Sequence, residues 1–152
     1  MTLAELRDII KAIVVAVNPA GSATNFDYME GYLSDMNKRH DRVNPLCILN
    51  IIRTVEDRVV PFADHTIRLN FLYNITQAME SETLAGSQDY FHTLFSQFDG
   101  DIDLVLAILF ANDNINLKSN ISRNRTPYDS TQKLWLIQVE FTIQTSWQCF
   151  HL

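Results

Sequence analysis

Two pairs of neighbouring residues are the places where this sequence could support acid–base chemistry. Asp64 precedes His65, and His40 precedes Asp41. A histidine oriented by a carboxylate can act as a general base. However, adjacent side chains on a strand project to opposite faces, and no serine or cysteine stands in a nucleophile motif. We therefore interpret both pairs as solvated loop residues, and a small hydrolase using Asp64–His65 or Asp41 is the least supported alternative function.

The acidic segment "DGDID", Asp99–Asp103, is the part of the sequence that most resembles a cation site. A calcium-binding EF-hand loop that began at Asp99 would need glycine at its sixth position and glutamate at its twelfth. Leu104 and Phe110 occupy those positions. The segment is better explained as a break between two helical stretches, with Asp101 capping the second. Since zinc spacings, phosphate loops and dinucleotide fingerprints are also missing, we expect neither a metal nor a cofactor.

Four arginines form a further group of candidate functional residues. Arg53 and Arg58 flank residues 55–66, and Arg123 and Arg125 lie in a predicted loop before the last strand. In an acidic chain these cations could bind acidic partners, although arginines at an ordinary solvated surface would look the same.

Composition indicates one globular domain over residues 1–152, with 47% hydrophobic and 20% charged residues. The formal net charge of −6 disfavours sequence-specific nucleic-acid binding. The apolar N-terminal stretch is too short to span a bilayer, so we expect no membrane partner. Cys47 and Cys149 lie far apart and outside any cysteine motif, which is typical of two reduced thiols.

Hydrophobic periodicity predicts an alternation of helices and strands. Helical spacing of apolar residues predicts helices over 3–17 and 81–112, the second with the break described above. Period-two alternation or compact apolar runs predict strands over 45–54, 67–75 and 134–145. Residues 26–43 fit a short strand over 26–33 followed by a polar loop better than they fit a helix.

Three connecting segments complete the prediction. Residues 55–66 are predicted to form a polar arm or hairpin tip, "INLKSNIS" after Asn114 an additional strand, and "RNRTPYDSTQ" a loop. Helices that are segregated from strands in this way favour an α+β fold, with helices packed on one face of a mostly antiparallel sheet. The predicted inner face of the sheet consists of Ile67, Leu69, Phe71, Ile137, Val139 and Phe141.

The order of these elements resembles the small tail-terminator and tail-completion proteins of long-tailed bacteriophages. The resemblance depends on the N-terminal helix, the strand "NPLCILNIIRT", the arm, the alternating strand, the aromatic helical region and the ending "YDSTQKLWLIQVEFTIQT". The final segment "SWQCFHL" has no counterpart in that pattern.

The resemblance implies an α+β protein that forms a ring, a hexamer in that family, and is not an enzyme. The ring would cap the tail tube, bind the tail-tube protein and the head-side connector protein, and reside in the virion after assembly in the host cytoplasm. Passage of DNA through the ring is compatible with this function. The alternative is another phage neck or virion interaction module of the same α+β type.

The interface of such a ring is expected on the arm, on the arginines and on the last strand. The last strand can supply a face or an edge, and pairing of its edge with a neighbouring subunit would satisfy its free backbone groups. The complete set of interface candidates is Arg53, Arg58, Val60, Phe62, Arg123, Arg125, Gln138, Glu140, Thr142 and Gln144.

Overall fold

The computed structural model describes residues 1–19, 24–31, 45–57, 62–74, 87–129 and 134–146. These residues form two helices and six strands. In chain order they are α1 (Leu3–Ala16), β1 (Asp27–Glu30), β2 (Leu46–Asp57), β3 (Phe62–Asn74), α2 (Ser87–Phe110), β4 (Ile115–Leu117), β5 (Ser122–Asp129) and β6 (Leu134–Ser146).

The strands form one mixed sheet in the order β1-β2-β3-β6-β4, and β5 pairs with β6 beside β4. β1 is parallel to β2, and the other pairs are antiparallel. Both helices contribute to one hydrophobic core with the sheet. The predicted α+β class, with a mostly antiparallel sheet, is therefore confirmed.

Helix α1 begins and ends where its sequence predicts. The Thr2 hydroxyl accepts a hydrogen bond from the Glu5 backbone, and the Glu5 carboxylate accepts one from the Thr2 backbone, which forms a capping box. Leu6, Ile10 and Val14 recur at helical spacing and are buried. The helix ends before Val17, whose backbone is extended.

The centre of the core lies under β3 and β6. Their register places Ile67 opposite Phe141, Leu69 opposite Val139 and Phe71 opposite Ile137. All six predicted inner-face residues are buried, so this prediction is confirmed. The alternation of apolar residues on β3 and β6 predicts this inner face, because residues that lie opposite one another on paired strands project to the same side of the sheet.

Helix α2 is continuous, so the predicted break at Asp99–Asp103 is wrong. Asp101 is a buried residue within the helix and does not cap it. A glycine inside a helix costs about 1 kcal/mol relative to alanine. Phe98 and Ile102 bury their side chains on either side of Gly100, and this burial offsets that cost. Residues 81–86 of the predicted helix lie outside the described ranges.

Strands β2 and β3 extend further toward their connecting turn than predicted. Residues 55–57 belong to β2 and residues 62–66 to β3, and the two strands pair from Asp57↔Phe62 onward. The predicted arm is thus mostly paired sheet, with residues 58–61 outside the described ranges. Residues 122–129 form β5, so the predicted loop over 123–132 is wrong for most of its length.

A second apolar cluster lies on the sheet face opposite the helices. It contains Leu46, Ile48, Leu72 and Leu136, with Met29 packed against it. The uninterrupted apolar run at the start of β2 is typical of a strand buried on both faces. Residues 27–30 of the predicted strand 26–33 form β1, and residues 32 and 33 lie outside the described ranges.

Candidate functional site

His65 is buried in the sheet, and the prediction of a solvated loop residue is wrong. It bridges three strands, with Nδ1 at 3.0 Å from the Thr54 hydroxyl and Nε2 at 3.0 Å from the Thr145 hydroxyl. Burial lowers the pKa of His65, while the carboxylates of Asp64 and Glu56 partly oppose that shift.

This geometry does not resemble a catalytic base. Asp64 precedes His65 on a regular strand, so it projects from the opposite face and binds Lys118 at 3.3 Å. His65 itself is only 4% exposed. We assign it the role of a cross-strand hydrogen-bonding residue. Asp41, the other candidate base, lies outside the described residues.

The acidic segment on α2 binds arginines of its own chain. Arg123 donates hydrogen bonds to Asp99 at 3.3 Å and to Asp103 at 2.6 Å, and Arg125 donates to Asp99 at 2.6 Å. The Arg125 guanidinium also lies 5.5 Å from the centre of the Phe95 ring. Asp99 and Asp103 are one helical turn apart, so both lie on the same face of α2. Arg123 and Arg125 are two residues apart, so both lie on the same face of β5. We call these four charged residues the β5–α2 latch.

The third aspartate of that segment, Asp101, lies inside the core. The Tyr73 hydroxyl donates a hydrogen bond to Asp101 Oδ2 at 3.3 Å. The Tyr73 ring stacks on Phe98 with 3.8 Å between ring centres. Burial, followed by the Asp101 carboxylate, raises the pKa of Tyr73 well above its usual value. Helical periodicity alone predicts that residue 101 lies within a continuous helix, between the buried positions 98 and 102. The acidic side chain instead led to the prediction that Asp101 caps a second helix.

The described ranges contain neither a metal-binding cluster nor a membrane-spanning helix. Within them, His, Cys, Asp and Glu side chains nowhere form a group of three that could hold a metal ion. Neither α1 nor α2 is long and apolar enough to cross a membrane. Cys47 is a buried free thiol whose pKa is raised by burial, and Cys149 lies outside the described residues.

The outer part of β2 and the start of β3 expose three large apolar side chains. Ile52 is 43% exposed, Val55 45% and Phe62 39%. Phe62 is the first residue of β3 and lies opposite Asp57 and Ser146, so it belongs to the sheet and not to an arm outside it. We call Ile52, Val55 and Phe62 the hairpin patch. The candidates Arg58 and Val60 lie outside the described residues.

The polar candidates on β6 occupy the sheet face that points away from the helices. Gln138 donates to Asn70 at 2.9 Å, Glu140 accepts from Arg68 at 3.1 Å, and the hydroxyls of Thr142 and Thr66 lie 3.2 Å apart. Gln144 lies opposite Asp64 on β3 and Asn116 on β4. These side chains are half-buried and most are already bonded to a neighbouring strand.

β6 has a paired strand on each side, so it cannot accept a strand from another subunit. β3 pairs along its whole length, and β4 and β5 share its other edge. The expectation of strand addition at β6 is therefore wrong. Among the described residues, the sheet leaves unpaired the outer edges of β1, β4 and β5 and the part of β2 beyond β1, where Arg53 is exposed.

A search of protein-family models finds no match to this chain, and a search of curated proteins finds no significant match either. The hairpin patch, the open edges and the polar face described above are therefore the features of the molecule that bear on its function.

Proposed function

We propose that this protein is a structural component of a phage virion that forms a ring, caps the tail tube and joins it to the head-side connector. One observation carries the proposal. The three large apolar side chains of the hairpin patch are each more than a third exposed, on the outer part of β2 and on the adjoining start of β3.

Large exposed apolar side chains on neighbouring strands are typical of a protein-binding surface. Aromatic residues supply much of the free energy of such contacts, so Phe62 is the natural anchor. The patch has a charged neighbour, since Arg53 is exposed on the same face of β2 as Val55. An apolar centre with a charged rim is the usual arrangement of an interface.

The same sheet supplies two different unpaired edges at its opposite sides within the described residues. Contacts between unlike surfaces of identical subunits are heterologous, and they generate closed rings when the rotation between subunits closes. Among the described residues, α1 and α2 pack on one face of the sheet and do not pair with either edge. The sequence resemblance to tail-terminator proteins is the basis for proposing that this ring caps a phage tail tube.

Electron microscopy of the purified protein mixed with isolated phage tail tubes tests the proposal. We expect rings in the protein sample and a single ring at one end of each tube. Rings that do not bind the tubes would contradict the tail-capping role and favour another neck module. Isolated monomers that bind no tube would contradict the proposed function as a whole.

A further inference from the structure

Two of the unpaired edges, the outer part of β2 and the outer edge of β5, belong to strands that run in opposite directions. β2 is antiparallel to β3, β3 to β6, and β6 to β5. β2 and β5 are therefore antiparallel to each other, although they lie on opposite sides of the sheet. A second copy of the chain, placed beside the first in the same orientation, would present its β5 antiparallel to β2.

We propose that residues 53–57 of β2 pair with residues 122–126 of β5 in a second copy of this chain, so that the sheet continues from one subunit to the next. This inference rests on the proposed function, because it names the contact that would build the ring. It assigns the pairing to β2 and β5 and not to β6.

The lengths of the two open segments match. On β2, regular pairing with β3 resumes after the irregularity between Ile51 and Arg53 and continues to Asp57. On β5, regular pairing with β6 runs from Ser122 to Pro127, where the register shifts. Proline has no backbone N–H to donate, so Thr126 is the last residue before that interruption. Each edge thus offers five regular residues.

The faces and charges also match. Thr54 and Glu56 lie opposite His65 and Ala63, which share the helix-side face of β3 with the buried Ile67. Arg123 and Arg125 lie on that same face of β5, where they bind α2. In an antiparallel pairing with Val55 opposite Asn124, Glu56 faces Arg123 of the second copy.

Both partners of that contact reach the surface. Glu56 is exposed and makes no ion pair with the described residues, and Arg123 keeps 24% of its side chain exposed while it binds Asp99 and Asp103. Opposite charges across neighbouring strands are stabilising, whereas like charges are destabilising. The pairing would also satisfy the outward backbone groups of both edges.

Disulfide trapping in the full-length chain tests the register. Val55→Cys and Asn124→Cys are made separately in a Cys149→Ser background, with Cys47 retained because it is buried. Directly opposed residues in antiparallel strands have Cα atoms about 4.5–5.5 Å apart, which suits a disulfide. We expect a covalent dimer on oxidation of the mixed variants and none from either variant alone. A mixture of Val55→Cys with Lys11→Cys, on the solvent side of α1, is the control and should not cross-link.

A charge change provides a second readout. Glu56→Lys should weaken association by about tenfold because it places a cation against Arg123. If an oligomer persists in native mass spectrometry but the 55–124 disulfide does not form, the proposed pairing is wrong and the ring proposal stands. If Val55→Cys cross-links to itself, the contact is isologous and the inference is also overturned. If the protein is monomeric at all concentrations, both proposals fail.

Discussion

At the scale of single residues, the polar groups inside this protein are structural. His65 connects β2, β3 and β6 through two threonine hydroxyls, and Asp101 accepts a hydrogen bond from Tyr73 within the core. Buried polar groups of this kind are costly unless they are bonded, so their partners matter more than their charge. Two predictions follow from these contacts.

The first concerns the pH dependence of stability. Because burial lowers the pKa of His65, the unfolded chain takes up a proton at a higher pH than the folded chain does. The free energy of unfolding should therefore fall as pH drops below about 6.5, the ordinary histidine pKa. Urea denaturation between pH 7.5 and 5 measures this effect. His65→Gln retains hydrogen-bonding capacity without titrating, and its profile should be flatter than that of the wild type. Parallel pH profiles of the free energy of unfolding for the wild type and His65→Gln would show that His65 does not cause the pH dependence.

The second concerns the Tyr73–Asp101 contact. Tyr73→Phe should lower the free energy of unfolding by about 1–2 kcal/mol, because a buried carboxylate loses a donor. Tyr28→Phe is the matched control, since its hydroxyl donates to Glu30 at the exposed rim of the sheet and should cost less. Denaturant melts of both variants make the comparison. An equal loss of unfolding free energy from the two substitutions would show that the buried Tyr73–Asp101 hydrogen bond stabilises the fold no more than an exposed one.

At the scale of elements, local patterns predicted some parts of the fold well and others poorly. The α1 cap and the alternation on β3 and β6 are local signals, and the structure confirms them. The continuity of α2 through Gly100 depends on burial against the sheet, which no local pattern records. β5 is polar and contains Pro127, so only its pairing with β6 identifies it as a strand. The β5–α2 latch was missed for the same reason, because its halves meet only in the folded chain.

The latch should contribute measurably to the packing of β5. Arg123 is the better-buried arginine of the latch, with 24% of its side chain exposed, and it contacts two aspartates. Arg123→Ala should lower the free energy of unfolding by about 1 kcal/mol, more than an exposed isolated ion pair contributes. Lys11→Ala on the exposed side of α1 is the control and should have almost no effect. If the two variants melt alike, the latch does not stabilise the fold.

The hairpin patch should contribute to assembly and not to the stability of the subunit. Phe62→Ala should leave the subunit folded, since its side chain is 39% exposed, yet weaken assembly by about 2 kcal/mol per contact. Phe71→Ala, in the buried core of the same strand, is the control and should cost about 3–5 kcal/mol of folding stability. Melting temperature and size-exclusion profile are compared for each variant. Unfolding of Phe62→Ala would place the residue in the core, and unchanged assembly would remove the patch from the interface.

At the scale of the whole molecule, the fold class followed from the segregation of helices and strands, but the candidate site did not follow from the sequence. The sequence predicts Phe62 on an arm outside the sheet, whereas it is an exposed residue of β3. The last strand is predicted to supply a face or an edge, but β6 is paired on both sides, so its polar face alone stays a candidate. Which edges remain open depends on strand order, and strand order is a property of long-range pairing.

The most direct test of the central claim is the mass of the assembled protein by native mass spectrometry across a range of concentrations. We predict one closed species of fixed copy number, a hexamer by resemblance, which gives way to the monomer only on dilution. Closed heterologous assembly produces a single size because every interface is used. A monomer at every concentration, or an open-ended series of masses that never closes, would contradict the proposal.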